Sequence, residues 1–180
     1  IAHLVTNKPL ITTLRGSDVH GANQNLLSRL LLRFAVKRSD LVTVVGHDMR
    51  DLVSSWFPDH TSKIKTIENG LSPHFLEVGK ARKYGKFNAP IRILSIGSLV
   101  PIKGHDVLLS ALSEIDNLNW QLTLIGDGPS QSPLRALAQQ LGITSQVVFS
   151  GTALPQEIPK YLETHDLFVF PSYAEGRPNA

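Results

Sequence analysis

The chain has 180 residues, 42% of them hydrophobic and 18% charged, with a net charge of +3. These proportions fit a soluble globular protein able to bury a core, and the mild basicity is too small to argue for nucleic acid by itself. With no cysteine, disulfide and thiol chemistry are excluded, and no apolar run reaches the ~18 residues of a membrane-spanning helix.

The chain opens at IAHLVTNKP and its only methionine is Met49. It is read as an internal piece of a longer protein. The expected location is the cytoplasm, with peripheral contact at an anionic membrane as an added expectation.

Residues 10–14 form a β-rich run that should stop at Gly16, Ser17 and Asp18. The stretch NQNLLSRLLLRFAVKRSD is helical, with Leu27, Leu30, Leu31, Phe34 and Ala35 recurring at helical spacing. LVTVV predicts a strand over 41–45, HDMRDLVSSWF a helix over 47–57 closed by Pro58, and KIKTI a strand over 63–67 before the turn signal Asn69-Gly70. From Leu76 to Pro90 the sequence is charged, glycine-bearing and aperiodic. A linker between two domains is placed there, with 1–75 before it and 91–180 after it.

Beyond the linker, short continuous apolar strands alternate with helices. Strands are expected at 91–97, 120–126, 146–151 and 167–171, and helices at 104–116, 132–142 and 155–165. Continuous rather than alternating apolar runs indicate parallel strands covered on both faces. The alternation gives the fold class α/β, doubly wound.

If the four later strands follow the order 3-2-1-4, the first and fourth are neighbours and the order reverses between them. Ligands bind outside the carboxyl ends of strands at such a switch point. The loops there are Gly97-Ser98-Leu99-Val100-Pro101-Ile102-Lys103-Gly104 and Pro171-Ser172-Tyr173-Ala174-Glu175-Gly176-Arg177-Pro178. The assumed order brings Lys103 near Glu175. Gly97 and Gly104 permit close backbone approach, and Lys103 is a compact positive charge suited to phosphate. Gly176 followed by Pro178 sets up a helix start that presents bare amides to an anion. A carboxylate among phosphate-binding groups needs a task, and accepting sugar hydroxyls is one. The set fits a nucleotide-sugar. Taken singly, each residue reads as a turn glycine, a surface lysine or a loop carboxylate; their convergence on neighbouring loops favours a site.

Other features are weighed against plain structural roles. Arg29, Arg33 and Lys37 share one helix face, a pattern that suits an anionic membrane. The reading adopted is a packed helix with a solvated basic face, because the apolar face is needed for the sheet. Gly126-Asp127-Gly128-Pro129 is read as a tight turn. Asp18 and His20 follow a strand end and either face the acceptor or, for Asp18, cap a helix. The seven histidines show no metal-ligand spacing. A dinucleotide-binding dehydrogenase is disfavoured, because GSLVPIKG stands where Gly-x-Gly-x-x-Gly is required.

SIGSLVPIKGHDVLLSAL, LTLIGDGP, VVFSGTALPQEIPKYLETHDLFVFPS and YAEGRPNA resemble glycosyltransferase family 4, and so do LRGSDVH, RSDLVTVVG and IENGLSPHF upstream. The resemblance implies a GT-B fold of two Rossmann-like domains, both incomplete in this chain. It implies a retaining transferase that moves a sugar from a nucleotide-diphosphate donor to a glycan or lipid-linked acceptor, without a required metal or other cofactor. It matches Lys103 to the lysine on the donor phosphates and Glu175 to the first glutamate of a two-glutamate signature facing the donor sugar. Gly97, Ser98, Gly151, Leu154, Gly176 and Arg177 fall in the donor-binding segments. Arg15, Asp18 and His20 fall on the acceptor side.

Three positions depart from the family's pattern. Ser98 stands where many members carry an arginine, so the phosphates rest more on Lys103 or on Arg177. Arg15 stands where the family often has a histidine; it cannot act as a base but can bind an acceptor's carboxylate or phosphate. The second signature glutamate would fall beyond the last residue. The alternative from the same resemblance is a nucleotide-sugar epimerase or a binding protein of the same fold.

Overall fold

The computed structural model describes residues 8–70, 73–81, 85 and 88–175. The chain separates into two compact units: one runs to Gly70 and includes Glu175, and the other ends at Ala174.

In the first unit the strands β1 (Ile11–Leu14), β2 (Leu41–Val44) and β3 (Ile64–Thr66) form a parallel sheet in the order β1-β2-β3. Its helices are α1 (Ser17–Gln24), α2 (Leu26–Arg38) and α3 (His47–Trp56). The core takes Leu14, Val42, Val44 and Ile64 from the strands, Leu32 and Val36 from α2, and Met49 and Val53 from α3. Each large side chain buried here contributes roughly 1.5–3 kcal/mol before the entropy cost of ordering it.

Three expectations are corrected in this unit. Gly16-Ser17-Asp18 does not simply end a strand, because α1 begins at Ser17. The Asp18 carboxylate accepts hydrogen bonds from the amides of Gly16 at 2.8 Å and of Arg15 at 3.2 Å. That local satisfaction of the turn is what lets a helix start there. A break then falls at Asn25, whose side chain accepts from the Leu27 amide at 2.9 Å and caps α2. The third correction concerns the face of α2. Leu27, Leu30, Leu31 and Phe34, expected to pack on the sheet, are exposed, and Leu32 and Val36 are buried instead. In a run as leucine-rich as LLSRLLLRFAV, two helix faces satisfy the same spacing rule. The sequence does not say which one faces in.

Helix α4 (Pro73–Ala81) lies in the second unit, across a stretch read largely as aperiodic linker. Gly79 and the charged neighbours mask its period.

The second unit carries β4 (Ile91–Ile96), β5 (Trp120–Ile125), β6 (Val147–Gly151) and β7 (Leu167–Phe168). They form one parallel sheet in the order β6-β5-β4-β7. This is the order 3-2-1-4, with the reversal between β4 and β7. Helices α5 (His105–Ser113) and α6 (Gln131–Gln140) bury Leu108, Leu109, Leu112, Leu134 and Ala138 against Leu122 and Leu124. Helix α7 (Ile158–Thr164) leads to β7. β7 pairs through only two residues, Leu167 with Ile93 and Phe168 with Leu94. The Asp166 and Val169 amides extend the junction by donating to Arg92 and Leu94 carbonyls at 2.7 and 2.8 Å.

Candidate functional site

The loop after β4 leaves the sheet at Gly97, turns through a 3-10 segment, Pro101–Lys103, and enters α5 through Gly104. Gly104 has φ 63°, in the left-handed region that glycine adopts at no steric cost. A Cβ there would also drive into the carbonyl oxygen of Pro171, in the loop after β7. One turn earlier, the amide of Tyr173 donates to the carbonyl of Ile102 at 2.9 Å. The loops after β4 and β7 are therefore in contact, as the switch-point argument requires.

Lys103 lies at this junction, half-buried. Its stem runs beside Gly97, where an added Cβ would stand 3.9 Å from the lysine Cδ. That is ordinary contact, and Gly97 is not among the positive-φ glycines. The unusual dihedral is thus found at Gly104 and not at Gly97. The Lys103 ammonium sits 5.2 Å from the centroid of the Phe170 ring. Such a cation–π contact contributes about 0.5–1 kcal/mol at exposed sites. The contact places the ammonium beside that ring.

His105 follows at the start of α5, only 3% exposed, and its Nδ1 has no hydrogen-bond partner. Burial, and then the neighbouring Lys103 charge, push its pKa below the ordinary 6.5, against an opposing pull from Asp106. The imidazole is held toward its neutral form, so the junction's positive charge comes from Lys103. The Ser172 hydroxyl, in the loop after β7, is likewise buried without a partner. Sequence reasoning passed over Phe170, His105 and Ser172. Phe170 sits inside an apolar strand run, which hides any role beyond packing.

The turn after β5 backs the first loop. The Leu99 amide donates to the Asp127 carbonyl, and the Ser130 amide to the Leu99 carbonyl, each at 2.9 Å. Added Cβ atoms on Gly126 and Gly128 would collide with the carbonyls of Gly97 and Leu99. The tight turn read from the sequence is therefore also a brace for the Gly97–Leu99 backbone. The Gly126 amide in turn donates to the carbonyl of Gly151 at 2.8 Å, and Gly151 has φ 72°. Leu154 stands exposed beyond it, its amide held by Glu157 Oε2 at 2.7 Å. Ser98 is exposed on the loop surface. The carboxyl ends of β4, β5, β6 and β7 thus bring Gly97, Ser98, Lys103 and Gly151 to one edge of one sheet. Gly176 and Arg177 lie outside the described residues. Glu175 is half-buried and is grouped with the first unit, so its pairing with Lys103 stays a proposal.

In the first unit, Arg15 stands at the end of β1 and lines a cleft of about 410 Å³ with Thr13, Thr43, Glu68 and Asn69. Thr43 Oγ1 donates to Thr13 Oγ1 at 2.9 Å across its floor. Asp18 is occupied by the backbone amides of Arg15 and Gly16; it sits in the first turn of α1, where Gly16 is the N-cap and no side chain caps the helix, so the cap role weighed for it is not the one it plays. His20 lies within α1, and its side chain is outside the described set. Among the described residues no group of three or more His, Asp or Glu side chains is placed to hold a metal ion. Among the described residues, too, no helix is long and apolar enough to cross a membrane.

Two parallel α/β sheets, the second reversing its order between β4 and β7, fit the two Rossmann-like domains of a GT-B architecture. The family model for glycosyl transferases group 1 matches residues 80–180, and the chain belongs to that family. It is 27% identical over 93% of its length to a GDP-mannose-dependent alpha-(1-6)-phosphatidylinositol monomannoside mannosyltransferase of Mycolicibacterium smegmatis, and covers 45% of that protein. It is 27% identical over 76% of its length to a D-inositol 3-phosphate glycosyltransferase of Acidothermus cellulolyticus, covering 34% of it. The chain thus spans half or less of the length of these relatives. Among solved structures, the Anabaena protein HepE in complex with UDP-glucose superposes with a TM-score of 0.74 at 21% identity, over 97% of this chain and 50% of that one. Sucrose-phosphate synthase from Thermosynechococcus elongatus superposes at 0.72 and 18% identity, over 94% of this chain and 46% of that one.

Proposed function

We propose that the protein transfers a sugar from a nucleotide-diphosphate donor to an acceptor hydroxyl with retention of anomeric configuration. The observation that carries this reading is the contact between the two switch-point loops around Lys103, through Tyr173 to Ile102 and Pro171 to Gly104. A doubly wound sheet binds its ligand there, and Lys103 is a phosphate-binding cation held at that point.

In this reading the donor diphosphate lies against Lys103, with the amides after Glu175, Ser98 and Arg177 completing its contacts. Glu175 accepts hydroxyls of the donor sugar. The Gly151–Leu154 segment borders the base. The bond from the anomeric carbon to the diphosphate oxygen breaks, leaving an oxocarbenium-like centre and a diphosphate that gains charge. Lys103 and the loop amides stabilise that charge where it develops. The acceptor oxygen attacks from the face the diphosphate leaves, and its proton passes to the departing phosphate oxygen. No protein nucleophile and no metal ion are invoked.

The acceptor side is assigned to the cleft beside Arg15, with Asp18 and His20 as further acceptor-side candidates. Arg15 is suited to an anionic acceptor group. The mycobacterial-type relative is named for a phosphatidylinositol monomannoside acceptor, which supports a glycan or lipid-linked acceptor here. The reading places the reaction in the cytoplasm and in polysaccharide or glycolipid assembly.

The test is to incubate the whole protein with a panel of nucleotide-sugars and follow transfer, hydrolysis and epimerisation together by NMR. Transfer with a retained anomeric configuration is expected. Epimerisation of the donor without transfer would instead establish the non-transferase reading.

A further inference from the structure

The loop after β4, from Gly97 to Gly104, carries one charged residue, Lys103. Its charge stands at the end of a flexible four-carbon stem, and ordering such a stem costs rotamer freedom. Two contacts order it. The stem lies beside Gly97, where an added Cβ would stand 3.9 Å from the lysine Cδ and 4.0 Å from its Cε. The ammonium lies 5.2 Å from the centroid of the Phe170 ring, inside the ~6 Å reach of a cation–π attraction. Phe170 comes from the other side of the switch point. It follows β7, just beyond the Phe168–Leu94 pair, where the Val169 amide still donates to the Leu94 carbonyl at 2.8 Å. The Phe168 ring backs it, with centroids 6.3 Å apart and planes 15° from parallel. The next residue, Pro171, has its carbonyl against Gly104, so the ring and the lysine are carried on backbones that already touch.

We propose that Phe170 is a positioning residue, whose ring holds the Lys103 ammonium at the switch point in readiness for the donor diphosphate. The inference rests on the donor-phosphate reading of Lys103 given above. An aromatic face suits the task. It attracts an ammonium through its quadrupole and leaves the positive charge uncancelled, whereas a carboxylate in the same place would compete with the diphosphate for it. A side chain ordered before binding gives up less entropy on binding, so the ring raises affinity without touching the ligand. Packing alone would let Phe170 act equally whether or not the lysine is present. Positioning makes its effect pass through Lys103, so the two residues are coupled.

The experiment is a double-mutant cycle, read by calorimetric titration of UDP and of GDP into the whole protein, with the melting temperature followed for each variant. Phe170→Leu keeps an apolar side chain and removes the ring face; it should weaken nucleotide binding about two- to fivefold. Phe170→Met, which fills the space with a flexible side chain, should weaken it to the same extent. Phe170→Tyr keeps the ring and should stay within about twofold of the unsubstituted protein. In a Lys103→Ala background, Phe170→Leu should add no further loss. Equal weakening by Phe170→Leu in both backgrounds, undiminished affinity in Phe170→Leu and Phe170→Met, or a Phe170→Tyr protein as weak as Phe170→Leu would overturn the inference and leave the donor reading in place. Undiminished affinity in Lys103→Ala, or binding of neither nucleotide, would overturn the donor reading and this inference with it.

Discussion

The amide of Tyr173 donates to the carbonyl of Ile102 at 2.9 Å, and this bond joins two loops separated by about seventy residues of chain. The loops meet because β4 and β7 are neighbours although β5 and β6 intervene in sequence. The bond is a consequence of topology, and it sets Lys103, one residue after Ile102, at the seam.

Gly104 is the residue the seam tolerates least. Gly104→Ala places a side chain in the left-handed region and against the Pro171 carbonyl, which should cost about 2–3 kcal/mol in urea unfolding. Gly97→Ala meets only the Lys103 stem at ordinary contact distance and should cost less than about 1 kcal/mol. Equal effects of the two substitutions would contradict the seam geometry.

His105 links stability to pH. Its pKa is lowered in the folded protein, first by burial and then by Lys103, so the unfolded chain takes up the proton more readily. Its contribution is fully present above the ordinary 6.5 and is lost as pH falls from there toward the depressed value. Unfolding free energy measured across that window should fall toward acid, and His105→Leu should flatten the slope. An unchanged slope would show that His105 titrates freely in the fold.

Glu175 is assigned to the donor sugar and not to the nucleotide. Glu175→Ala should depress transfer about tenfold to a hundredfold while leaving the affinity for the free nucleoside diphosphate nearly as it was. The opposite pattern, lost nucleotide affinity with a normal turnover rate at saturation, would remove the sugar-facing role.

The second unit was open to sequence reasoning because its strands are short unbroken apolar runs such as IRILSI and WQLTLI, each buried between helices. The loops between them carry glycine and proline where the chain must turn. The assumed strand order matches the observed one for the same reason: short right-handed crossovers leave few alternatives. What stayed hidden depends on partners far away in sequence. The Phe170 ring beneath Lys103 reads as core within LFVF. The requirement for glycine at 104 comes from a carbonyl about seventy residues later, which the sequence around it does not contain. In the first unit, α1 was missed because Asp18 satisfies the upstream amides of Arg15 and Gly16 rather than downstream ones. The orientation of α2 was missed because both of its faces are apolar.

Calorimetric titration of a nucleoside diphosphate into the whole protein and into Lys103→Ala tests the central claim most directly. Loss of a charge-assisted phosphate contact is worth about 1.5–3 kcal/mol, so the variant should bind roughly ten- to a hundredfold more weakly with its fold intact by circular dichroism. Unchanged affinity in a folded Lys103→Ala protein would mean that the diphosphate does not lie at the β4–β7 seam.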